Sequence, residues 1–175
     1  MKTIILVRHA KSSWKDTDLK DRERPLKKRG ERDAALMANV LRDRGFTPAL
    51  IITSHAKRAE ATAKIIASEY GHNEKLIDTR RKLYMRSGNK MINVINDIDD
   101  RHDVVFLVSH NPGLTDLANL LTNDSIDNIP TSGVVAISFD VQSWSEVASG
   151  KGKKLLFEVP KTHRAQIEKV EEPVL

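Results

Sequence analysis

The sequence contains no cysteine, few aromatic residues and no long apolar run. The lack of cysteine among 175 residues excludes disulfides, thiolate metal sites and a cysteine nucleophile. No stretch approaches the roughly 20 apolar residues of a membrane-spanning helix. The start of the chain also lacks the apolar region and cleavage site of a signal peptide. We therefore expect a cytoplasmic protein without a membrane partner.

The charge of the chain is positive and unevenly distributed. The formal net charge is +5, basic residues crowd into the segment 11–32, and the segment 96–127 is acidic. A positive balance indicates an anionic partner. Aromatic residues make up only 5% of the chain and no nucleic-acid-binding motif is present, so we expect no nucleic acid among the partners. A basic rim around a phosphate site, or merely solvated helix faces, would explain the same charge.

Short apolar runs predict the strands of a sheet. Most are rich in β-branched residues, as is typical of strands covered on both faces. They are Ile4–Val7, Ala49–Thr53, a shorter one near Leu76–Asp78, and the run inside DVVFLVSHNPG. In the last third, GVVAISFDV and KKLLFEVP predict two further strands with no helix between them.

Apolar residues at helical spacing predict four helices between the earlier strands. The first ends at Gly45 and the second at Gly71, because glycine readily adopts the backbone that ends a helix. Ser87 suits the cap of the third helix. Asn111 is a candidate cap for the fourth, and Pro112 suits its first position.

This order predicts an α/β fold, namely a three-layer α/β/α sandwich. Its central sheet is expected to be mostly parallel, with an antiparallel C-terminal hairpin portion. A chain of this size forms one domain. We expect residues 1–160 to form that domain, and residues 161–175 to be a charged tail that packs on the surface or frays.

Arginine and histidine residues follow three of the predicted strands. Arg8 and His9 follow the first, Arg58 lies in the first turn of the helix after the second, and His110 follows the strongest strand. Ligands of open α/β sheets bind outside the carboxyl ends of the strands, so these side chains are expected to meet. Guanidinium groups bind phosphoryl oxygens, and an imidazole is a competent phosphoryl nucleophile. A single histidine at a strand end is more often structural, so the cluster carries the argument.

At these residues the sequence resembles the histidine phosphatase superfamily, which has the phosphoglycerate-mutase-like fold. Within it, the sequence is most similar to the SixA-type phosphohistidine phosphatases. Ala10 replaces the glycine of the family's RHG signature, and His55 stands where proline is common. The matching motifs, in the family's order, are RH at Arg8-His9, DxxRPL at Asp21–Leu26, SxxxRAxxT at Ser54–Thr62, LY at Leu83-Tyr84, HNPGL at His110–Leu114 and PTSG at Pro130–Gly133.

The resemblance implies a role for each matching residue. His9 would be the nucleophile and would carry a transient phosphoryl group. The other residues that it implies are Arg8, Arg58 and His110 in the phosphate pocket and Arg24 and Asp21 at its substrate-binding rim. No metal ion or other cofactor is expected, because these groups already supply positive charge and no carboxylate-rich ligand motif accompanies the histidines.

Several of these residues also have structural interpretations. Arg24 is as often a helix-entry residue paired with a nearby acid as it is a binding residue. Asp21 is more often a solvated loop residue than a catalytic acid. We expect Ser54 to cap its helix. Trp14 and Tyr84 are expected to be packing residues, and lining of the substrate entrance is the alternative.

The segment between Arg58 and Ser87 indicates the class of substrate. It has no insertion that could hold the lid glutamate with which related mutases and phosphatases protonate an alkoxide leaving group. A site without a lid suits a protruding phosphorylated side chain and an easy leaving group, such as the imidazole of phosphohistidine. Asp21 or His110 is a candidate proton donor. We expect a phosphatase of phosphohistidine in a protein. The alternatives are a phosphatase or mutase of a small phosphorylated metabolite, and a module that binds phosphoprotein without turnover.

Overall fold

Within the described part of the chain, six strands form one central sheet. The structure is a computed structural model that describes residues 1–171, with the side chains of residues 1–165. The strands are β1 (Lys2–Arg8), β2 (Leu50–Thr53), β3 (Ile77–Thr79), β4 (Val104–Ser109), β5 (Val134–Phe139) and β6 (Lys153–Glu158). Their order across the sheet is β3-β2-β4-β1-β5-β6. The first four strands are parallel, whereas β5 is antiparallel to both β1 and β6. The predicted mostly parallel sheet with an antiparallel hairpin portion is therefore confirmed.

Helices cover both faces of this sheet. They are α1 (Lys28–Asp43), α2 (Lys57–Glu69), α3 (Gly88–Asn96), α4 (Gly113–Thr122) and α5 (Pro160–Glu171). On one face, Met37 of α1 and Ile66 of α2 belong to one apolar core. On the other face, Met91 of α3 and Leu117 of α4 belong to a second core. The sheet separates the two cores, so the predicted three-layer α/β/α sandwich is confirmed.

Strand β1 shows why a continuous apolar run forms a central strand. Ile5 and Val7 lie in the core under α1 and α2, whereas Ile4 and Leu6 lie in the core under α3 and α4. Successive side chains of a strand point to opposite faces, so a strand covered on both faces needs an apolar residue at every position. The apolar run stops after Val7, and the polar residues that follow belong to neither core.

The predicted helix ends are partly correct. Gly45 and Gly71 follow α1 and α2 with φ angles of 83° and 69°, as a glycine stop requires. Ser87 is the residue before α3, but its side chain makes no capping hydrogen bond. Asn111 does accept hydrogen bonds from the first turn of α4, at 3.3 and 2.9 Å. Pro112 lies at the N-cap and not at the first helical position that we predicted.

The C-terminal segment contains a helix that the sequence analysis missed. Helix α5 packs against α1, and Nε of Arg164 lies 3.3 Å from Oδ1 of the buried Asp33. The expected tail is therefore helical up to Glu171, and residues 172–175 lie outside the described residues. The division into a domain of residues 1–160 and a tail stays a prediction. None of the described helices is long and apolar enough to cross a membrane.

Candidate active site

The sheet order brings the predicted site residues together. Strands β1 and β4 are neighbours, and Arg8 pairs with Ser109 at their carboxyl ends. His9 and His110 therefore follow paired positions, and the centroids of their rings are 5.1 Å apart. Strand β2 lies on the other side of β4 and leads into α2, whose first turn places Nε of Arg58 3.3 Å from Nε2 of His9. The expectation that these side chains converge is met by the geometry.

His9 is held as a neutral imidazole by one hydrogen bond at each ring nitrogen. Its Nδ1 donates to the carbonyl oxygen of Ala10 at 2.9 Å, and the lone pair on Nε2 accepts from Nε of Arg58 at 3.3 Å. Burial, together with the charges of Arg58 and Arg8, lowers the pKa of His9 to about 4. At neutral pH the ring is therefore uncharged, as a nucleophile must be. Ala10 replaces the signature glycine without strain, since its φ is not positive, and its N–H donates to Thr62.

His110 lies opposite His9, and Ser54 orients it. The Ser54 hydroxyl is hydrogen-bonded to Nε2 of His110, whereas Nδ1 is buried without a hydrogen-bond partner. Burial, followed by the influence of His9 and Arg58, lowers the pKa of His110 to about 3. The predicted capping role of Ser54 is minor, because its contact with the N–H of Ala56 is 3.4 Å long. The sequence analysis missed the contact with His110.

Arg8 offers a second buried donor without a partner. Its Nη1 donates to the carbonyl oxygen of Ile129 at 2.9 Å, but its Nε is buried and unpaired. The backbone beside it is fixed by Ser132, whose N–H donates to the carbonyl oxygens of Arg8 and His9 at 3.1 and 3.3 Å. Buried N–H groups without partners are rare in folded proteins. Two of them, Nε of Arg8 and Nδ1 of His110, next to a nucleophile indicate the place of an anion.

Asp21 joins three separate segments at the entrance of this site. Its carboxylate accepts from Arg24 at 2.8 Å, from Arg58 at 3.0 Å and from the hydroxyl of Tyr84 at 2.7 Å. Its carbonyl oxygen accepts from Nη1 of Arg58 at 2.7 Å. Partial burial acts to raise the pKa of Asp21, but the hydrogen bonds from Tyr84, Arg24 and Arg58 outweigh it and lower this pKa to about 2. At neutral pH Asp21 is a carboxylate that positions Arg58 and has no proton to donate.

Arg24 holds the loop that carries Asp21. Besides its ion pair with Asp21, it donates to the carbonyl oxygen of Ser13 at 3.0 Å and to the hydroxyl of Ser12 at 2.6 Å. Its guanidinium carbon lies 3.3 Å from the ring centroid of Trp14. The acid paired with Arg24 is thus Asp21, and Arg24 itself is only 7% exposed. This geometry gives Arg24 a role in positioning the rim.

Trp14 and Tyr84 differ from the packing residues that the sequence analysis expected. Trp14 is 69% exposed. Tyr84 lies against the rings of His110 and His55, with centroids 5.6 and 5.1 Å apart. Because it also binds Asp21, Tyr84 forms a wall of the site. The LY motif was the only sequence signal for this residue.

The charges of the site suit a phosphoryl group. Three guanidinium groups and one carboxylate leave a net charge of +2, beside two neutral imidazoles. A phosphoryl dianion would balance this charge and would satisfy the two unpaired donors. Within the described residues, no group of three or more His, Cys, Asp or Glu side chains is arranged to hold a metal ion.

Comparisons with known proteins identify a family and relatives that this chain resembles. The model of the histidine phosphatase superfamily (branch 1) matches residues 4–83. An uncharacterized chloroplastic protein of Arabidopsis thaliana is 31% identical over 157 residues, which are 85% of this chain and 72% of that protein. An uncharacterized protein of Mycobacterium tuberculosis is 28% identical over 167 residues, which are 89% of this chain and all of that protein.

Solved structures show the same fold. The putative phosphohistidine phosphatase SixA from Agrobacterium tumefaciens matches with a TM-score of 0.75 at 22% identity, over 91% of this chain and 98% of that chain. A tungstate complex of the protein histidine phosphatase SixA matches with a TM-score of 0.77 at 18% identity, over the same shares. A mycobacterial glucosyl-3-phosphoglycerate phosphatase with VO3 matches with a TM-score of 0.65 at 13% identity, over 91% and 100%. The predicted phosphoglycerate-mutase-like fold is confirmed.

Proposed function

This chain belongs to the histidine phosphatase superfamily, and we propose that it is a phosphatase that removes the phosphoryl group of phosphohistidine in a protein through a covalent intermediate on His9. One observation carries the proposal. The lone pair on Nε2 of a neutral His9 accepts only from Nε of Arg58, at 3.3 Å, beside the buried and unpaired Nε of Arg8 and Nδ1 of His110. One crevice thus holds a nucleophile that can attack phosphorus and donors that can bind the phosphoryl oxygens around it.

The reaction follows from these positions. Nε of Arg58 exchanges Nε2 of His9 for a phosphoryl oxygen, and Arg8 and His110 donate to the other oxygens. The released lone pair on Nε2 of His9 then attacks phosphorus. The new P–N bond forms as the bond to the leaving group breaks, and the leaving group departs with a proton. Water then attacks the phosphorylated His9, the P–N bond breaks, and inorganic phosphate leaves the neutral imidazole. The site's own cations supply the charge stabilisation, so the proposal includes no metal ion.

The protonation states support a phosphohistidine substrate. With a pKa of about 2 for Asp21 and about 3 for His110, Asp21 is a carboxylate and His110 is a neutral imidazole at neutral pH, so neither is in the acidic form that would protonate an alkoxide. The imidazole of a phosphohistidine has a second ring nitrogen that takes a proton from solvent. It therefore leaves as a neutral ring without an enzymatic acid.

Trapping the phosphorylated protein tests the mechanism. Incubation with ³²P-phosphoimidazole and rapid quenching should label His9 with a bond that is stable in alkali and labile in acid. His9→Ala should show neither label nor turnover, whereas His72→Ala, which changes an exposed histidine, should show both. Label that persists in His9→Ala would disprove the intermediate, and activity lost in EDTA would disprove metal independence.

A small phosphorylated metabolite is the second candidate substrate. The likeness in fold to the glucosyl-3-phosphoglycerate phosphatase favours it. The ratio of kcat/KM values for a phosphohistidine protein and for a panel of sugar phosphates and nucleotides decides between the two. Tight phosphate binding without any turnover would favour the non-catalytic binding module. A cytoplasmic location and the absence of a nucleic-acid partner are parts of the proposal, to be checked by cell fractionation and by duplex binding.

A further inference from the structure

Two loops surround the entrance of the phosphate pocket. The first, residues 11–27, carries Asp21, and the second, residues 80–87, carries Tyr84; their side chains are joined by a 2.7 Å hydrogen bond. We infer that the exposed side chains of these two loops, here called the rim surface, bind an acidic protein surface that surrounds the phosphorylated histidine. This inference rests on the proposed function and adds the partner's surface chemistry to it.

The rim surface exposes large apolar side chains. Trp14 is 69% exposed and Met85 is 63% exposed, on opposite sides of the entrance. A continuous series of contacts joins them, from Trp14 to Arg24, to Asp21 and to Tyr84, the residue before Met85. Single exposed apolar residues are ordinary, but aromatic residues and methionine are enriched in protein interfaces. Met85 also has a positive φ of 51°, a backbone state that is uncommon for a residue with a side chain.

The charge of the rim surface is positive. The segment 80–90 contains five basic residues and no acid. Within the described side chains, the exposed Arg81, Lys82 and Arg86 form no ion pair, in contrast to Arg80, which binds Asp78 at 2.8 Å. Unpaired basic side chains on the loop that carries Tyr84 attract an acidic partner and raise its rate of association. The exposed side chains of the first loop are mixed but also positive on balance, with five basic residues and the three acids Asp16, Asp18 and Glu23.

The position of these side chains favours a protein over a metabolite. The walls of the pocket itself are His9, Arg58, His110 and Tyr84, and a small phosphorylated molecule would contact those. Trp14 and the basic residues of the second loop lie outside these walls, on two different segments. Only a partner with a surface of its own would reach both sides at once.

The experiment uses three substrates that share one leaving group. They are phosphoimidazole and two forms of a helical carrier protein with one surface histidine phosphorylated by phosphoramidate. In one carrier the neighbouring residues are acidic, and in the other the acids are replaced by glutamine. The test variants are Arg81→Glu with Arg86→Glu, and Met85→Asn, since asparagine tolerates a positive φ. The matched control is Lys151→Glu with Lys153→Glu, an equal change of charge at the opposite end of the sheet.

We expect the arginine double variant to lower kcat/KM for the acidic carrier by about tenfold or more, through KM. Met85→Asn should lower it less. Turnover of phosphoimidazole should change less than about twofold, and the lysine control should behave as the unmodified protein. The effect of the double variant should shrink at high salt, because salt screens exposed charges. Equal losses on phosphoimidazole, no loss on the acidic carrier, or equal kcat/KM for the two carriers would each overturn the inference.

Direct binding separates this inference from the proposed function. Calorimetry with His9→Ala and the unphosphorylated acidic carrier measures docking without chemistry. If the carrier binds through the rim surface but the unmodified protein cannot hydrolyse phosphoimidazole, the docking surface is supported and the proposed function is refuted. If phosphoimidazole is hydrolysed but the carrier does not bind, the proposed function is supported and the docking surface is refuted. Equal competition by duplex DNA would show a general anion-binding surface and would overturn the acidic-protein partner.

Discussion

Replacing Ser54 with alanine should impair catalysis far more than it impairs folding. The Ser54 hydroxyl is the hydrogen-bond partner of Nε2 of His110. When the hydroxyl donates to Nε2, the ring proton lies on the otherwise unpaired Nδ1, and this N–H can donate a hydrogen bond to a phosphoryl oxygen. Without the hydroxyl, Nε2 is buried and unpaired, and the proton is free to move to it. His110 then loses its hydrogen bond from Nδ1 to the charged phosphoryl oxygen. Such a bond is worth about 1.5–3 kcal/mol, which corresponds to about a 10- to 150-fold decrease in kcat.

Ser109→Ala provides the matched control. Ser109 is equally buried, next to His110 in the chain, and its hydroxyl donates to the carbonyl oxygen of Leu83 at 3.3 Å without touching the ring. Turnover of phosphoimidazole and urea unfolding are measured for both variants and for Ser54→Thr. We expect similar small losses of stability in the two alanine variants, a large loss of kcat only in Ser54→Ala, and partial rescue in Ser54→Thr. Equal kcat in the two alanine variants would refute the positioning role of Ser54.

Three further predictions concern stability and charge. Acidification should destabilise the protein, because the pKa values of His9 and His110, about 4 and about 3, lie below the value of about 6.5 in an unfolded chain. The unfolded chain then binds more protons, so the free energy of unfolding should fall from pH 7 towards pH 3, and less steeply in His110→Asn. Asp21→Asn should lower the free energy of unfolding by about 1 kcal/mol and reduce phosphoimidazole turnover, whereas Asp18→Asn, in the same loop, should change neither. Gly113→Ala should destabilise the protein by about 1–3 kcal/mol in urea unfolding, because its Cβ would lie 1.8 Å from a backbone oxygen of the 80–87 loop. A change below about 0.5 kcal/mol would contradict that contact.

The elements that the sequence predicted well are those with local signals. The β1 strand has an apolar residue at each position between Ile4 and Val7 because both faces are covered, and this pattern is visible without any partner. Gly45 and Gly71 end their helices with a positive φ, which is a property of the residue itself. Helix α5 was missed because its sequence is polar and its packing partner, α1, is far away in the chain.

The candidate site was predictable only in part, for the same reason. Arg8, His9, Arg58 and His110 follow strands or begin a helix, and the rule on strand ends places them at one edge. Their supporting contacts are different. Ser54 and His110 are separated by 56 positions, and Asp21 and Tyr84 by 63. No spacing in the sequence indicates such pairs, so the sequence alone favours a cap for Ser54 and a packing role for Tyr84.

The sequence by itself determined the order of strands and helices and the chemical groups at the strand ends, because periodicity and glycine stops act within a few residues. The tertiary structure alone decided which of those groups are ready to react. It left Nε of Arg8 and Nδ1 of His110 without partners, and it lowered the pKa values of His9 and Asp21 well below their ordinary values. A hydrogen bond and a pKa depend on burial and on charges a few ångströms away, and in this fold those neighbours come from segments far apart in the chain.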